Sequence, residues 1–134
     1  MRCRISRCVA ETIRSDARAA APREACGLLF GAAREITAAQ VAENVSETPE
    51  TRFEIDPRAL FAAMRSERSG GPEIAGYWHS HPSGDATPSA TDAAMAAPDG
   101  KLWLIVAGEA ITAWQAGEGG LHGRFEAVEL AVED

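Results

Sequence analysis

Two histidines one residue apart, in the run Gly76-Tyr77-Trp78-His79-Ser80-His81-Pro82, restrict this chain more than any other feature. Successive side chains of a strand alternate faces, so His79 and His81 can share one face while Trp78 and Ser80 take the other. Asp92 follows eleven positions after His81, just inside what reads as a new helix opened by Ser89. Two imidazoles and a carboxylate form the open three-ligand set that suits a catalytic zinc, with water in the fourth tetrahedral position. A lone histidine is more often structural than a ligand, and Ser89-Ala90-Thr91-Asp92 is also a variant of the helix capping box. The two readings agree, because a capped first turn holds Asp92 rigidly. Asp85, the competing carboxylate, follows Gly84 and is expected to serve a turn.

The stretch from His79 through Ser89 to Asp92 resembles the H-x-H-x7-S-x2-D signature of the JAMM (MPN-type) zinc metalloproteases. That family also carries a glutamate on the approach to a Gly-Leu-Leu-x-Gly run, and Glu24-Ala25-Cys26-Gly27-Leu28-Leu29-Phe30-Gly31 supplies it. With the order of elements between the two motifs, the resemblance covers most of the chain. It implies an α/β fold of JAMM/deaminase-like type, a curved mixed sheet flanked by helices with zinc in a groove beside it. It further implies that His79, His81 and Asp92 hold Zn²⁺, that Glu24 shuttles a proton without ligating the ion, and that Ser89 helps stabilise the oxyanion. Zinc can lower the pKa of bound water from about 15.7 to roughly 7, yet a nearby base must still accept the proton and pass it to the leaving nitrogen.

Compact relatives of this kind from bacteria and archaea act on the C-terminal Gly-Gly tail of ubiquitin-like, β-grasp proteins, sulfur carriers included. By resemblance, the expected reaction is hydrolysis of an amide or isopeptide bond at such a tail. The tail is expected to add to a sheet edge through main-chain hydrogen bonds. The opposing readings are a catalytically silent scaffold for such a partner, or a small-molecule amidase. Cys26, two residues after Glu24, invites a thiol-protease reading, but the histidine spacing suits a metal better than a thiolate–imidazole pair. The His-x-Glu with Pro-Cys-x-x-Cys of zinc deaminases and the His-Glu-x-x-His of zincins are both absent. His122, set among glycines, is expected to be a surface residue.

A chain of 134 residues is expected to be a single domain over 1–134, folding alone or as a small oligomer such as a homodimer. A net charge of −7 with scattered basic residues disfavours nucleic acid as a partner. Charged residues break every apolar run near the start, and no stretch of about 20 apolar residues offers a membrane span. With Cys3, Cys8 and Cys26 forming no C-x-x-C pair, a reducing, cytoplasmic setting is expected.

The remaining elements follow from periodicity. Cys3 to Ile5 reads as a short strand, and Ser6 caps a helix with Val9, Ile13, Ala17 and Ala20 on its apolar face. Ala25 to Phe30 reads as a buried central strand in which glycine marks a close approach. Glu35 to Val45 reads as a strand, Phe53 and Ile55 as an exposed-edge strand, and Asp56-Pro57 as a helix start. Leu102 to Ala107 and Ile111 to Ala116 suggest a hairpin. Arg124 to Val132 fits either a strand or a helix.

Overall fold

The computed structural model describes residues 1–32 and 34–134. Ser6 both ends the first strand, β1 (Arg2–Ser6), and caps the first helix, α1 (Arg7–Ala20), where its Oγ accepts from Val9 N at 3.1 Å. A side-chain oxygen at this position satisfies a backbone donor that the helix leaves free. The strands β2 (Cys26–Ala32) and β3 (Glu35–Ala42) form an antiparallel pair. Asp56 then caps α2 (Pro57–Arg68), accepting from Arg58 N with proline at the first helical position. After β4 (Ile74–Ser80) comes the short α3 (Ala90–Met95), followed by β5 (Leu102–Ala107), β6 (Ala110–Leu121) and β7 (Phe125–Glu133).

These seven strands form one mixed sheet in the order β1-β3-β2-β4-β5-β6-β7, closed because β7 also pairs with β1. The pairs β1/β3, β1/β7 and β4/β5 are parallel and the others antiparallel. β1 meets β3 only at Arg4/Glu35 and Ile5/Ile36, so beyond Ile36 the second edge of β3 has no strand partner among the described residues. The mixed α/β class expected from sequence is observed, with three helices against the sheet.

Alternation divides the strand side chains between two faces. On one, Leu29, Trp78, Leu102, Leu104 and Val106 pack with Val9, Ala10 and Ile13 of α1. On the other, Cys26 and Trp103 pack with Phe53 and Phe125, while Leu28 and Ile74 meet Ala63 of α2. Fully burying one such side chain contributes roughly 1.5–3 kcal/mol, so both faces stabilise β4, the strand between them. The glycine expected to mark a close approach does so. A Cβ on Gly27 would stand 1.9 Å from Gln40 O and 2.4 Å from Trp78 Nε1, so the indole of Trp78 lies directly on the backbone of β2.

Two sequence expectations are corrected and one is decided. Phe53 and Ile55 form no strand: Ile55 makes only an isolated bridge to Asn44, and Phe53 is buried, because its ring is needed as a wall behind β4. The strand expected to reach Val45 ends at Ala42, where the chain turns into the loop that Asn44 organises. Arg124 to Val132 resolves as strand, since β7 finds backbone partners on both sides, in β6 and β1. Among the described residues no helix is long and apolar enough to cross a membrane.

Gly27→Ala is expected to destabilise the fold by about 3 kcal/mol or more, because backbone and indole must both move. Gly117→Ala, whose Cβ would meet nothing within 4 Å, is the comparison and should change stability by less than about 1 kcal/mol. Urea denaturation of the two variants measures the difference.

Candidate metal centre

The backbone ladder carries the two histidines past the end of β4. Ser80 N donates to Ala25 O at 3.0 Å and His81 N to Val106 O at 2.9 Å, so both residues are fixed against neighbouring strands. Their rings turn to one side, as alternation required, and their Nε2 atoms are 3.0 Å apart. Asp92 Oδ2 completes a triangle, 3.2 Å from His79 Nε2 and 3.1 Å from His81 Nε2. The capping box read from sequence is what brings it there: Asp92 N donates to Ser89 Oγ and Ser89 N donates to Asp92 Oδ2, each at 3.0 Å.

The chemistry of this donor set fits a metal. His81 Nδ1–H donates to the Asp85 carbonyl at 2.7 Å, so its Nε2 presents a lone pair to the triangle. A ring nitrogen thus oriented and a carboxylate oxygen are both acceptors, and acceptors held this close require a shared electrophile, which is a proton in hydrogen bonds to Asp92 where no ion is bound and a metal ion in its place. Ligand atoms around a tetrahedral ion with bonds of about 2.0–2.1 Å stand roughly 3.3 Å apart, close to the edges seen here. A Glu24 carboxylate oxygen lies within 4.8 Å of the ligand atoms of both histidines. Asp92 Oδ2 is within 3.2 Å of both ring nitrogens, and the Glu24 carboxylate stands beside them as a further donor that could reach an ion. Glu24 Oε1 is buried and has no hydrogen-bond partner among the described residues, which leaves it free to accept.

Glu24 is held by its backbone. Its N–H donates to Pro49 O at 2.7 Å, its carbonyl accepts from Asn44 Nδ2 at 2.9 Å, and the next N–H, of Ala25, donates to Ser80 Oγ at 2.8 Å. Asn44 also donates to Arg52 O, and its Oδ1 accepts from the N–H groups of Ser46 and Glu54. One buried amide thus ties the loop between β3 and α2 to the residue beside the metal ligands. Sequence reading missed Asn44, which stands two residues past the end of β3 with nothing local to mark it. Phe53 from the same loop stacks on His79 with ring centroids 4.3 Å apart, and Trp103 meets that imidazole edge-on.

The cleft is lined by Glu24, His81 and Ser89, with Glu50 and Thr51 from one loop and Ser83, Asp85 and Thr87 from the other. His79 lies behind them, with no exposed surface. Burial pushes the His79 imidazole below its usual value in spite of Asp92. At His81 burial has the same sense, but the Asp92 hydrogen bond and the Asp85 carbonyl outweigh it and raise the imidazole. Burial would raise Asp92, yet the hydrogen bonds from both histidines and from Ser89 N–H hold it well below the usual carboxylate range. Glu24 is raised to about 7 by burial, with Asp92 adding and His81 opposing.

The alternatives weighed from sequence also find their places. Asp85 serves its turn, accepting from Thr87 N and Thr87 Oγ1. Cys26 pairs in register with His79 and lies on its side of the sheet, but burial pushes its thiol up to about 12, with Asp16 and Glu24 adding. A buried thiol that keeps its proton at neutral pH is not a nucleophile. His122 is exposed as expected, yet its ring is engaged, a point taken up below.

The family described as prokaryotic homologs of the JAB domain matches residues 6–117. The chain belongs to this family. The JAMM (MPN-type) resemblance read from the two motifs is thereby borne out. A desampylase from Haloferax volcanii is 40% identical over 86 residues, 63% of this chain and 62% of the relative. A probable TtuB-protein conjugate cleaving protease from Thermus thermophilus is 38% identical over 72 residues, 54% of this chain and 48% of the relative. The matched segment thus spans less than two thirds of each curated relative. The solution structure of a protein from Desulfitobacterium hafniense superposes with a TM-score of 0.84 at 26% identity, covering 100% of this chain and 94% of that one.

The raised Glu24 carboxyl sets a pH dependence in protein stripped of metal by chelator. Below about pH 4.5 it is protonated whether the chain is folded or not, and contributes no dependence. Between there and about pH 7 the unfolded chain ionises while the folded one retains the proton, so stability falls as pH rises and then levels off. Glu24→Gln removes this slope. Chemical denaturation from pH 4.5 to 8 should show the variant gaining on the parent across that window, with no further gain above it.

Proposed function

We propose that the chain is a zinc-dependent hydrolase of amide or isopeptide bonds, acting at the C-terminal Gly-Gly tail of a ubiquitin-like or sulfur-carrier protein. The observation that carries the reading is the triangle of His79 Nε2, His81 Nε2 and Asp92 Oδ2 at 3.0–3.2 Å, with the Glu24 carboxylate beside it. The name of the Thermus relative, a probable TtuB-protein conjugate cleaving protease, supports the substrate class.

In this reading His79, His81 and Asp92 hold Zn²⁺, which when bound polarises the scissile carbonyl and lowers the pKa of water to about 7. Glu24 accepts a proton from the attacking water at its free Oε1 and returns it to the leaving nitrogen. A carboxyl raised to about 7 is matched to that exchange near neutral pH. Ser89 Oγ accepts from Asp92 N, so its own O–H is left to donate toward the developing oxyanion. The substrate tail lies along the cleft between the Glu50–Thr51 loop and the Ser83–Thr87 loop. These loops flank the tail on either side. Glu24, His81 and Ser89 in the cleft lining, with His79 and Asp92 buried directly behind them, argue against a silent scaffold.

The test uses a β-grasp carrier fused through its Gly-Gly terminus to a reporter. Cleavage is expected at that junction, abolished by chelator and restored by zinc. Asp92→Asn should lose zinc, whereas Glu24→Gln should keep it and lose about 100-fold or more in kcat. A Glu24→Gln variant as fast as the parent overturns the proton-shuttle role, and turnover of amino-acid amides without any carrier overturns the substrate class.

A further inference from the structure

The loop between β4 and α3, residues 82–88, joins His81 to the cap that presents Asp92. Within itself it is braced by the His81–Gly84 turn, Gly84 N donating to His81 O at 3.0 Å, and by the Asp85–Thr87 hydrogen bonds. Two side chains from β6 and the turn after it also reach it. Thr112 Oγ1, on β6, donates to Ala86 O at 2.6 Å and accepts from Trp114 Nε1 at 2.9 Å. His122, in the turn between β6 and β7, donates from Nε2 to Pro88 O at 3.1 Å.

The second contact has a particular geometry. The carbonyl that His122 holds belongs to the same peptide unit as Ser89 N–H, and that N–H donates to Asp92 Oδ2, the atom facing both imidazoles. A peptide group bonded at its oxygen is polarised so that its N–H becomes a stronger donor, and its plane can no longer rotate. The backbone of His122 is placed for this reach. It is the only non-glycine residue at positive φ (55°) among the described residues, in a turn whose Gly120 and Gly123 also have positive φ. A side chain is uncommon in that region, and glycine adopts it without penalty.

We propose that His122 is a positioning residue for the metal centre: through the Pro88–Ser89 peptide it fixes the orientation of Asp92 Oδ2 toward His79 and His81. Groups that orient a ligand from outside the coordination sphere change metal affinity by about 10–100-fold when removed. The inference rests on the reading of His79, His81 and Asp92 as zinc ligands, and it adds a residue outside the JAMM motif to the machinery.

The experiment measures zinc affinity by competition with a chromophoric chelator, and the Tm of the metal-free protein, in the parent, His122→Gly and His122→Gln. Glycine accepts the backbone conformation but removes the donor. Glutamine places an amide N–H where Nε2 stood. The expected result is a zinc affinity weakened about tenfold in His122→Gly, recovered to within about threefold of the parent in His122→Gln, with metal-free Tm unchanged in both. Unchanged affinity in His122→Gly overturns the inference. So does a loss that glutamine fails to restore, or one accompanied by a lowered metal-free Tm, which would mark His122 as structural only. A parent protein that binds no zinc overturns the metal-centre reading itself and the inference with it, whereas a parent that binds zinc as tightly as His122→Gly does overturns the inference alone.

Discussion

Three lone-pair acceptors held within 3.2 Å of one another, in a pocket where each residue is nearly or wholly buried, is the arrangement on which the rest of this structure depends. Without a shared proton or ion such groups repel, and they lose hydration in either case, so the fold must hold them in place. It does so by giving every ligand a backbone that is already committed elsewhere. His79 belongs to β4, paired on both sides by β2 and β5. His81 continues that ladder through Val106, and Asp92 sits in the first turn of a capped helix. None of the three depends on a flexible tip for its position.

The same economy applies to Glu24, which precedes β2 and belongs to no element. Its placement comes from Asn44, Pro49 and Ser80, a backbone clamp whose buried amide would be costly to leave unpaired. Because the amide of Asn44 also ties Arg52, Ser46 and Glu54, one side chain sets both the proton-handling group and one wall of the cleft. The loop between β3 and α2 is therefore part of the centre, although none of its residues belongs to the family motif.

The groups that point at the metal position were legible in the sequence, because their spacing is dictated by local geometry. Alternation puts His79 and His81 on one face, and a Ser-x-x-Asp cap fixes Asp92 one helical turn from its partner. Glu24 was legible only through the motif around Gly27, since nothing local distinguishes it from a solvated acid. What escaped was set by tertiary packing. Phe53 alternates with charged residues exactly as an edge-strand residue does, and only the stack against His79 explains its burial. Closure of the sheet depends on β1 pairing with β7 across nearly the whole chain, a contact no periodicity encodes. His122 looked like surface because exposure and engagement are separate properties: the residue is exposed, yet its ring is bonded to a carbonyl 34 residues away.

The two imidazoles are chemically alike and stand in unlike surroundings, and this difference bears on how the centre would respond to acid. His79 is sealed between Phe53 and Trp103, so burial favours its neutral form, the form a metal requires. His81 lines the cleft, and its bonds to Asp92 and the Asp85 carbonyl favour the protonated form. A proton and a metal ion compete for the same lone pairs. As pH falls the competition should therefore be lost first at His81, the cleft-facing ligand, while His79 stays neutral behind its aromatic wall. The imidazole that lines the cleft is thus the one more open to a proton, and its Nδ1 contact to the Asp85 carbonyl ties it to the loop on that side of the cleft.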